Sequence, residues 1–393
     1  MNRETAAVLE RLALGLDEEQ RMLGETARDF AERRVAPGAA ERDRTGAFPM
    51  ETFAEAAALG LHAMKVPVED GGAGMDNVAF ALAMEGVSEA CASIAVILAS
   101  SNLTAKILSD HATDEQKRRW LRPYTAGELG PVSFALSEPD CGSDAAALTT
   151  RARLEGDRWV LDGAKMWTTS GSVAGLHLVF ARTDGPGPEG ISAFVVERGT
   201  PGLVIGKEEE KLGQRASGTA ALTFEACAVP KDALVGRRGG GYGLALESLG
   251  GGRVGIAALC IGLSEAAYRA GRDWARERKV FGKPLVDMQN TRFVLADVRT
   301  EIDAAWLLTM RAARLLDGAV RERNRAAAET SMAKLFASEV CARAVDKMVQ
   351  LHGGYGQSRE VLVERLYRDA RVTRIYEGTS EVQRLVIARE ILR

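Results

Sequence analysis

The sequence predicts an α+β protein in three consecutive parts: an N-terminal α-helical domain over residues 1–127, a middle antiparallel β domain over 128–238, and a C-terminal four-helix-bundle domain over 239–393. Three observations point there. Helix-start signals and alanine-rich amphipathic segments fill the first part, short β-rich runs between turn residues fill the second, and long 3.6-period apolar patterns fill the third. Strands segregated between two helical blocks argue against a doubly wound parallel sheet, in which strands and helices alternate.

In the first zone Asp17 precedes Gln20 by three residues and Thr113 precedes Gln116 by three. Both pairs match the capping box, in which two side chains satisfy the free N–H groups of a helix start. Segment 78–108 carries no charged residue from Cys91 to Thr104. A helix polar on neither side is buried between other helices. In the middle zone, runs at 158–161, 176–180, 191–196 and 221–224 are separated by Glu155-Gly156-Asp157 and Asp184-Gly185-Pro186-Gly187-Pro188. Short runs with such turn signals read as an antiparallel sheet or barrel. In the third zone Ile256, Leu259, Leu263, Ala267, Ala270 and Trp274 recur at steps of three and four. Val294, Val298, Ile302, Ala305 and Leu308 do the same, as do Ala333, Phe336, Val340, Ala344, Met348 and Leu351. Long helices of this kind pack side by side as a bundle.

A chain of 393 residues is long enough for two or three units around a large shared core. With 46% hydrophobic and 27% charged residues it reads as soluble and globular. A net charge of −3 and 6% aromatics give neither a basic footprint nor a stacking surface for nucleic acid. Met1-Asn2-Arg3-Glu4-Thr5 has no charged-then-apolar signal pattern, and no apolar run is expected to reach the length of a membrane span. Cys91, Cys141, Cys227, Cys260 and Cys341 are far apart and form no C-x-x-C pair. A reducing cytoplasm is therefore expected, without a disulfide framework or zinc site. His62, His111, His177 and His352 are equally scattered, so no metal site is expected. No G-x-G-x-x-G follows a strand, which leaves a nicotinamide Rossmann site unsupported. Gly71-Gly72-Ala73-Gly74 and the glycine-rich stretch 236–243 offer backbone N–H groups of the kind that cradle phosphate. Neither is framed by a strand and a helix, so both read as connections.

The chemistry is concentrated near the C-terminus, in Arg374-Ile375-Tyr376-Glu377-Gly378-Thr379-Ser380-Glu381-Val382-Gln383-Arg384. Glu377 lies in a short segment between two helical patterns, after an aromatic residue and before Gly378-Thr379. A carboxylate among apolar and small residues is how a general base with a desolvation-raised pKa is built. The segment alone also fits an exposed loop carboxylate.

These eleven residues resemble the C-terminal signature of acyl-CoA dehydrogenases, and the resemblance extends over essentially the whole chain. It implies that Glu377 removes the α-proton of an acyl thioester and that the cofactor is FAD. Ser133-Phe134-Ala135-Leu136-Ser137-Glu138-Pro139-Asp140-Cys141-Gly142-Ser143-Asp144 is similar to the segment that opens the family's β domain. There Phe134, Ala135, Leu136, Ser137, Gly142 and Ser143 would line the flavin, with Ser143 also near the CoA portion. Lys165-Met166-Trp167-Thr168-Thr169-Ser170-Gly171 resembles the family's Trp-x-Thr run. It implies that Trp167 covers the isoalloxazine while Thr168 and Thr169 approach the ring edge, a large apolar plate plus donors. Read from the residues alone, Trp167 is a core residue.

Segment 276–289, which contains Arg278-Lys279-Val280-Phe281-Gly282, is similar to another family run. An Arg-Glu-Arg-Lys cluster by itself reads as a solvated helix end. Here the resemblance implies that Arg278 reaches the flavin diphosphate of a neighbouring subunit, where a guanidinium fork suits phosphate oxygens, and that Phe281 and Gln289 line the same site. Gln350-Leu351-His352-Gly353-Gly354-Tyr355-Gly356 resembles the glycine turn that passes against the partner's adenosine diphosphate. Thr379, Ser380 and Glu381 match the segment that completes the flavin site. Cofactor contacts from another chain imply a homo-oligomer, a tetramer built as a dimer of dimers.

Some family members carry the base immediately before an arginine of the third zone. The matching position here is Gly252, before Arg253, so the base is expected at Glu377. Gly250 stands where the family pattern has an acidic residue, and Glu247 lies three residues earlier. The resemblance places Arg253, Tyr376, Gly378 and Ser143 against the substrate. The implied reaction is α,β-dehydrogenation of a saturated acyl thioester, a short- or medium-chain acyl-CoA, to the trans-2-enoyl thioester. The backbone N–H of Glu377 and a flavin ribityl hydroxyl would polarise the thioester carbonyl, and electrons would pass to an electron-transfer flavoprotein. Lys211-Leu212-Gly213-Gln214-Arg215-Ala216-Ser217 resembles the linker of straight-chain members. Two alternatives share the fold: a thioester on an acyl carrier protein, and a flavin oxidase or hydroxylase that passes electrons to oxygen. A non-catalytic thioester-binding protein would dispense with Glu377, Trp167 or Arg278, and all three are present.

Overall fold

The computed structural model describes residues 15–318 and 326–392. Both capping boxes form. Asp17 Oδ1 accepts the Gln20 N–H at 2.8 Å, and Gln20 Oε1 accepts the Asp17 N–H at 3.2 Å, opening α1 (Glu18–Phe30). Thr113 and Gln116 repeat the exchange at 3.3 and 2.8 Å. Gln116 Nε2 then donates to Asp232 O and Leu234 O, both at 2.7 Å, which ties the helical zone to the middle domain. Between these caps lie α2 (Met50–Ala58), α3 (Asn77–Ala90) and α4 (Ala92–His111).

The middle zone folds as an eight-stranded sheet: β1 (Val132–Ala135), β2 (Arg151–Glu155), β3 (Arg158–Thr168), β4 (Leu176–Arg182), β5 (Ile191–Glu197), β6 (Leu203–Glu208), β7 (Ala220–Pro230) and β8 (Leu234–Val235). The order is β6-β7-β3-β2-β4-β5-β8, with β1 against β4. Most pairs are antiparallel, as the turn signals require. Two contacts depart from that expectation: β1 pairs β4 in parallel, and β2 meets β4 in parallel at Arg151↔Arg182. The reason is connectivity. The β2–β3 hairpin intervenes between β1 and β4, so β4 returns in the direction in which β1 left. Lying between neighbours on both edges, β4 is buried at six consecutive positions and shows no alternation.

The third zone contains α5 (Gly241–Glu277), α6 (Gln289–Asp317), α7 (Ala326–His352), α8 (Leu362–Arg371) and α9 (Ser380–Ile391). Helices α5 to α8 pack as the expected bundle, and α5 also packs on α3 and α4. One core therefore runs from the first zone into the third. Asp317, at the end of α6, caps α3: it accepts the Asn77 N–H at 2.8 Å and the Val78 N–H at 3.2 Å. Helices α4 and α5 correct one expectation, since both are long and apolar enough to cross a membrane. Their apolar windows are 89% and 72% buried inside the protein. A helix enclosed by others needs the same all-round apolarity that lipid would demand. The Gly71 stretch is a connection, as read, whereas stretch 236–243 runs from β8 straight into α5, which begins at Gly241, so it is framed by a strand and a helix.

A buried ion pair holds the loop after β1 against β3. Glu138 accepts Lys165 Nζ at 2.8 Å, the Thr149 N–H at 2.7 Å and the Thr150 N–H at 2.9 Å, while Lys165 also donates to Leu136 O at 3.1 Å. The Lys165 ammonium and these donors outweigh burial and hold the Glu138 carboxyl down at about 2. An unfolded glutamate titrates near 4.3. The stabilisation is thus complete above roughly pH 5 and is lost as pH falls toward about 2. Lys165→Met leaves a buried carboxylate without its cation and should cost about 3–5 kcal/mol. Thermal unfolding followed by circular dichroism checks this. The variant should melt lower than wild type at neutral pH, should lose less of its midpoint on acidification, and should be partly rescued by adding Glu138→Gln.

Candidate active site

Glu377 sits between the short helical turn Val372–Arg374 and α9. Its φ is 55°, in the left-handed region that non-glycine residues avoid, and Gly378 follows at 90°. A left-handed glutamate costs about 1–3 kcal/mol and persists only where its surroundings over-determine it. Three contacts do so. Gln383 Nε2 donates to Glu377 O at 2.9 Å and to Gly378 O at 3.0 Å. Lys334 Nζ, from α7, donates to Gly378 O at 2.8 Å. Thr379 then caps α9 by accepting the Val382 N–H at 3.3 Å. Lys334 and Gln383 are fully buried.

The turn aims the Glu377 side chain at α5. A Cβ placed on Gly252 would lie 2.6 Å from Glu377 Oε2, so the missing side chain at 252 is what admits the carboxylate. The two candidate base positions of the sequence thus meet at one place, one supplying the acid and the other the space. Oε2 is buried and has no hydrogen-bond partner among the described residues. Burial raises the Glu377 pKa above the ordinary carboxylate value, and the cations Arg253, Lys334 and Lys65 only partly oppose this. Beside it the Tyr376 hydroxyl accepts Gln214 Nε2 at 3.2 Å, which fixes the ring against the core. Arg253 is buried and donates to Ser331 Oγ at 3.1 Å, leaving its Nε unpaired. Glu247 is 3.4 Å from His111 Nε2 with its side chain mostly exposed, so it does not stand in for an acid at position 250.

The residues expected at the flavin fall into two sets. In the first, Ser137 O accepts the Met166 N–H at 2.9 Å, which lays the loop after β1 beside the end of β3. Phe134 packs on Phe180 with ring centroids 4.9 Å apart, Ala135 is buried, and Gly142 and Ser143 are exposed. Trp167 has φ 60° and is 56% exposed, which corrects its reading as a core residue. The cause is the irregular register between Lys165 and Thr168, which turns the indole out of the sheet. Next to it the buried hydroxyls of Thr168 and Ser170 have no partner among the described residues. An exposed aromatic plate flanked by unsatisfied buried hydroxyls fits a flat ring with polar edges.

The second set lines an open groove of about 530 Å³ formed by the end of α5 and the end of α7. Arg278, Gln350, Leu351, His352, Gly353 and Gly354 all line it. Trp274 and Tyr355 do too, and the Arg278 guanidinium lies 5.9 and 5.8 Å from their ring centroids. His352 stacks on Trp274 at 4.9 Å, and burial lowers its pKa below the ordinary imidazole value. Gly353 takes φ 59° at the turn. A cation over two aromatic faces beside a glycine turn fits a nucleotide diphosphate. Gln289 is exposed at the start of α6, and Phe281 is 99% exposed at the tip of a two-residue turn. Neither lines the groove, nor do Trp167, Thr168, Thr169 or Ser143. Ser380 is committed inward, donating to Glu339 Oε1 at 2.7 Å, and Glu381 is exposed.

The sequence reading did not single out Lys334, Gln383, Lys65 or Trp274. Trp274 carried a usable signal, since it lies four residues before Arg278 and so shares its helix face. Lys334 and Lys65 are single polar residues within apolar patterns and carried none, and Gln383 lay inside the 374–384 segment without a role assigned to it.

Sequence profiles of the acyl-CoA dehydrogenase N-terminal, middle and C-terminal domains match residues 17–128, 133–227 and 239–392. The chain is 46% identical over 381 residues to the short-chain specific acyl-CoA dehydrogenase, mitochondrial, of Mus musculus, covering 96% of this chain and 91% of that one. It is 42% identical to the short-chain specific acyl-CoA dehydrogenase of Clostridium acetobutylicum, covering 96% and 99%. Among solved structures, butyryl-CoA dehydrogenase from Megasphaera elsdenii superposes with a TM-score of 0.92 at 36% identity, covering 97% and 100%. With the domain order, the Tyr376-Glu377-Gly378-Thr379 turn and whole-length relatives in agreement, the chain belongs to the acyl-CoA dehydrogenase family, oxidoreductases acting on CH–CH groups.

Proposed function

We propose that this enzyme converts a short-chain acyl-CoA to its trans-2-enoyl thioester, with Glu377 as the base and FAD as the cofactor. The observation that carries this reading is the desolvated Glu377 carboxylate, held by a left-handed turn and facing the space left by Gly252. The short chain is taken from the relatives, whose names specify short-chain acyl-CoA or butyryl-CoA.

Glu377 Oε2 takes the α-proton. Burial makes this carboxylate a stronger base than an exposed one and brings its pKa toward that of the activated α-carbon. The backbone N–H of Glu377 donates to the thioester carbonyl, where a preorganised donor is worth about 3 kcal/mol. Tyr376, fixed by Gln214, walls the acyl site. Arg253 and Lys334 stay charged nearby and stabilise the carboxylate before it accepts the proton. Trp167, Thr168, Thr169 and the 134–143 loop would hold the flavin ring. Arg278, the glycine turn at Gly353-Gly354 and the aromatic pair Trp274 and Tyr355 would hold its diphosphate end. When bound, FAD supplies the acceptor for the hydride that leaves the β-carbon.

The separation of these two sets supports a homo-oligomer, by the family pattern a tetramer, in which each groove serves a neighbour's cofactor. An electron-transfer flavoprotein is the proposed acceptor. The described cysteines are all unpaired, which supports a reducing cytoplasm.

The test is the visible spectrum of the purified protein, titrated without oxygen with acyl-CoAs of increasing length. A flavin spectrum bleached most readily by a four-carbon chain is expected. A protein that takes up no FAD, or a flavin that no acyl-CoA bleaches, overturns the reading, and bleaching by acyl-carrier-protein thioesters alone moves it to that carrier. Glu377→Gln should keep the flavin spectrum and lose roughly 10²–10⁴-fold or more in turnover. In wild type the rate should rise with pH through an apparent pKa above that of an ordinary glutamate, because only the unprotonated base accepts the proton. Gly252→Ala should push the carboxylate aside. Oε2 is the tip of a flexible side chain, so stability should change little while turnover falls roughly 10–100-fold. Wild-type turnover in Gly252→Ala would show that the carboxylate does not work from this position.

A further inference from the structure

Beside Glu377 stands a cation that the mechanism does not use. A Cβ on Gly251 would lie 2.2 Å from Lys65 Nζ, just as one on Gly252 would lie 2.6 Å from Glu377 Oε2. The two glycines are consecutive on α5, with Cα atoms about 3.8 Å apart, so the ammonium and the carboxylate lie within about 12 Å of each other. Among the described residues the Lys65 ammonium has no hydrogen bond and no ion pair within contact distance. Its recorded contact is the Phe80 ring, 5.2 Å to the centroid. Asn77 Oδ1, buried and also without a partner, would be 3.5 Å from the same Gly251 Cβ.

The charges around Glu377 do not balance. Arg253, Lys334 and Lys65 face the one carboxylate. Arg253 and Lys334 are committed to Ser331 Oγ and Gly378 O. Burial, and after it repulsion from Lys106, lowers the Lys65 pKa to about 8, against the attraction of Asp317, Asp110 and Glu377. A desolvated ammonium without an acceptor is costly unless something fills its hydrogen bonds. Lys65 Nζ fills the side-chain position at Gly251, but the one at Gly250 is open, since a Cβ there meets nothing closer than Leu316 Cδ2 at 3.5 Å.

On the reading of the site as an acyl-CoA dehydrogenase, we propose that Lys65 is a specificity-determining residue that binds a carboxylate at the far end of a short acyl chain, so that the enzyme accepts dicarboxylic mono-thioesters. The α-carbon lies at Glu377 and the distal carboxylate at Lys65, a span that a short acyl chain covers.

The test compares glutaryl-CoA with pentanoyl-CoA, which has the same acyl length without the second carboxylate. Wild-type kcat/KM for glutaryl-CoA should at least equal that for pentanoyl-CoA. Lys65→Met should lower the ratio of the two by roughly tenfold or more, the loss expected for a charged hydrogen bond, and mainly through KM. Lys65→Arg should restore most of it. Partial misfolding lowers both rates and leaves the ratio unchanged, so the ratio reports on recognition. If glutaryl-CoA is a negligible substrate while pentanoyl- or butyryl-CoA is turned over, or if Lys65→Met leaves the ratio at its wild-type value, the proposal falls and the dehydrogenase reading stands. If no acyl-CoA is turned over, both fall.

Discussion

The arrangement of this protein's catalytic end depends on one strained turn. Glu377 is held at a positive φ, and the two carbonyls that such a turn exposes are each claimed by buried donors, Gln383 from the following helix and Lys334 from α7. Lys334 is itself costly to bury, and its pKa is lowered to about 8. Its carbonyl partner is what makes it tolerable there. The clamp therefore works both ways: the turn gives the ammonium an acceptor, and the ammonium holds a glutamate in a conformation it would otherwise leave. Because Lys334 lies on the bundle and Glu377 lies after it, the base is positioned only once α7 and the C-terminal segment have docked.

The carboxylate's protonation is set by a contest within the same few residues. Burial favours the neutral acid, whereas Arg253, Lys334 and Lys65 favour the anion, and burial wins. None of the three cations forms an ion pair with Glu377 among the described contacts, and Arg253 and Lys334 are bound to neutral oxygens. This matters for a base. A direct ion pair would drive its pKa down and weaken it, whereas cations held a little further off stabilise the anion without quenching its basicity.

Much of this was legible in the sequence, and the failures have identifiable physical causes. The capping boxes were readable because they rest on contacts three residues apart, and the strand runs because turn residues bound them. Glu377 was conspicuous for its neighbours. Trp167 was not readable from composition, since nothing in Lys165-Met166-Trp167 reveals that a register irregularity turns the indole outward; only the family resemblance pointed there. The parallel β1–β4 contact was hidden because the partners are far apart in the chain with a hairpin between them. Apolarity correctly marked segment 78–108 as enclosed but did not set helices α4 and α5 apart from membrane spans, because enclosure by protein and by lipid demand the same residues. Lys334 and Lys65 act through long-range contacts that no local pattern encodes, whereas Gln383 reaches back only five and six residues, to Gly378 O and Glu377 O.

The run Gly250-Gly251-Gly252 shows how these levels connect. Glycine inside a helix is worse than alanine by about 1 kcal/mol per residue, so three in succession within α5 oppose the fold locally. Two of them have a steric reason, since Lys65 and Glu377 occupy the space where their side chains would be. Gly250 has none, because its Cβ position is open to ordinary contact with Leu316. On the proposed role of Lys65, charge supplies a reason for glycine at 250: an acidic side chain beside Gly251 would compete for the Lys65 ammonium, and a run without side chains leaves that cation to meet a substrate carboxylate.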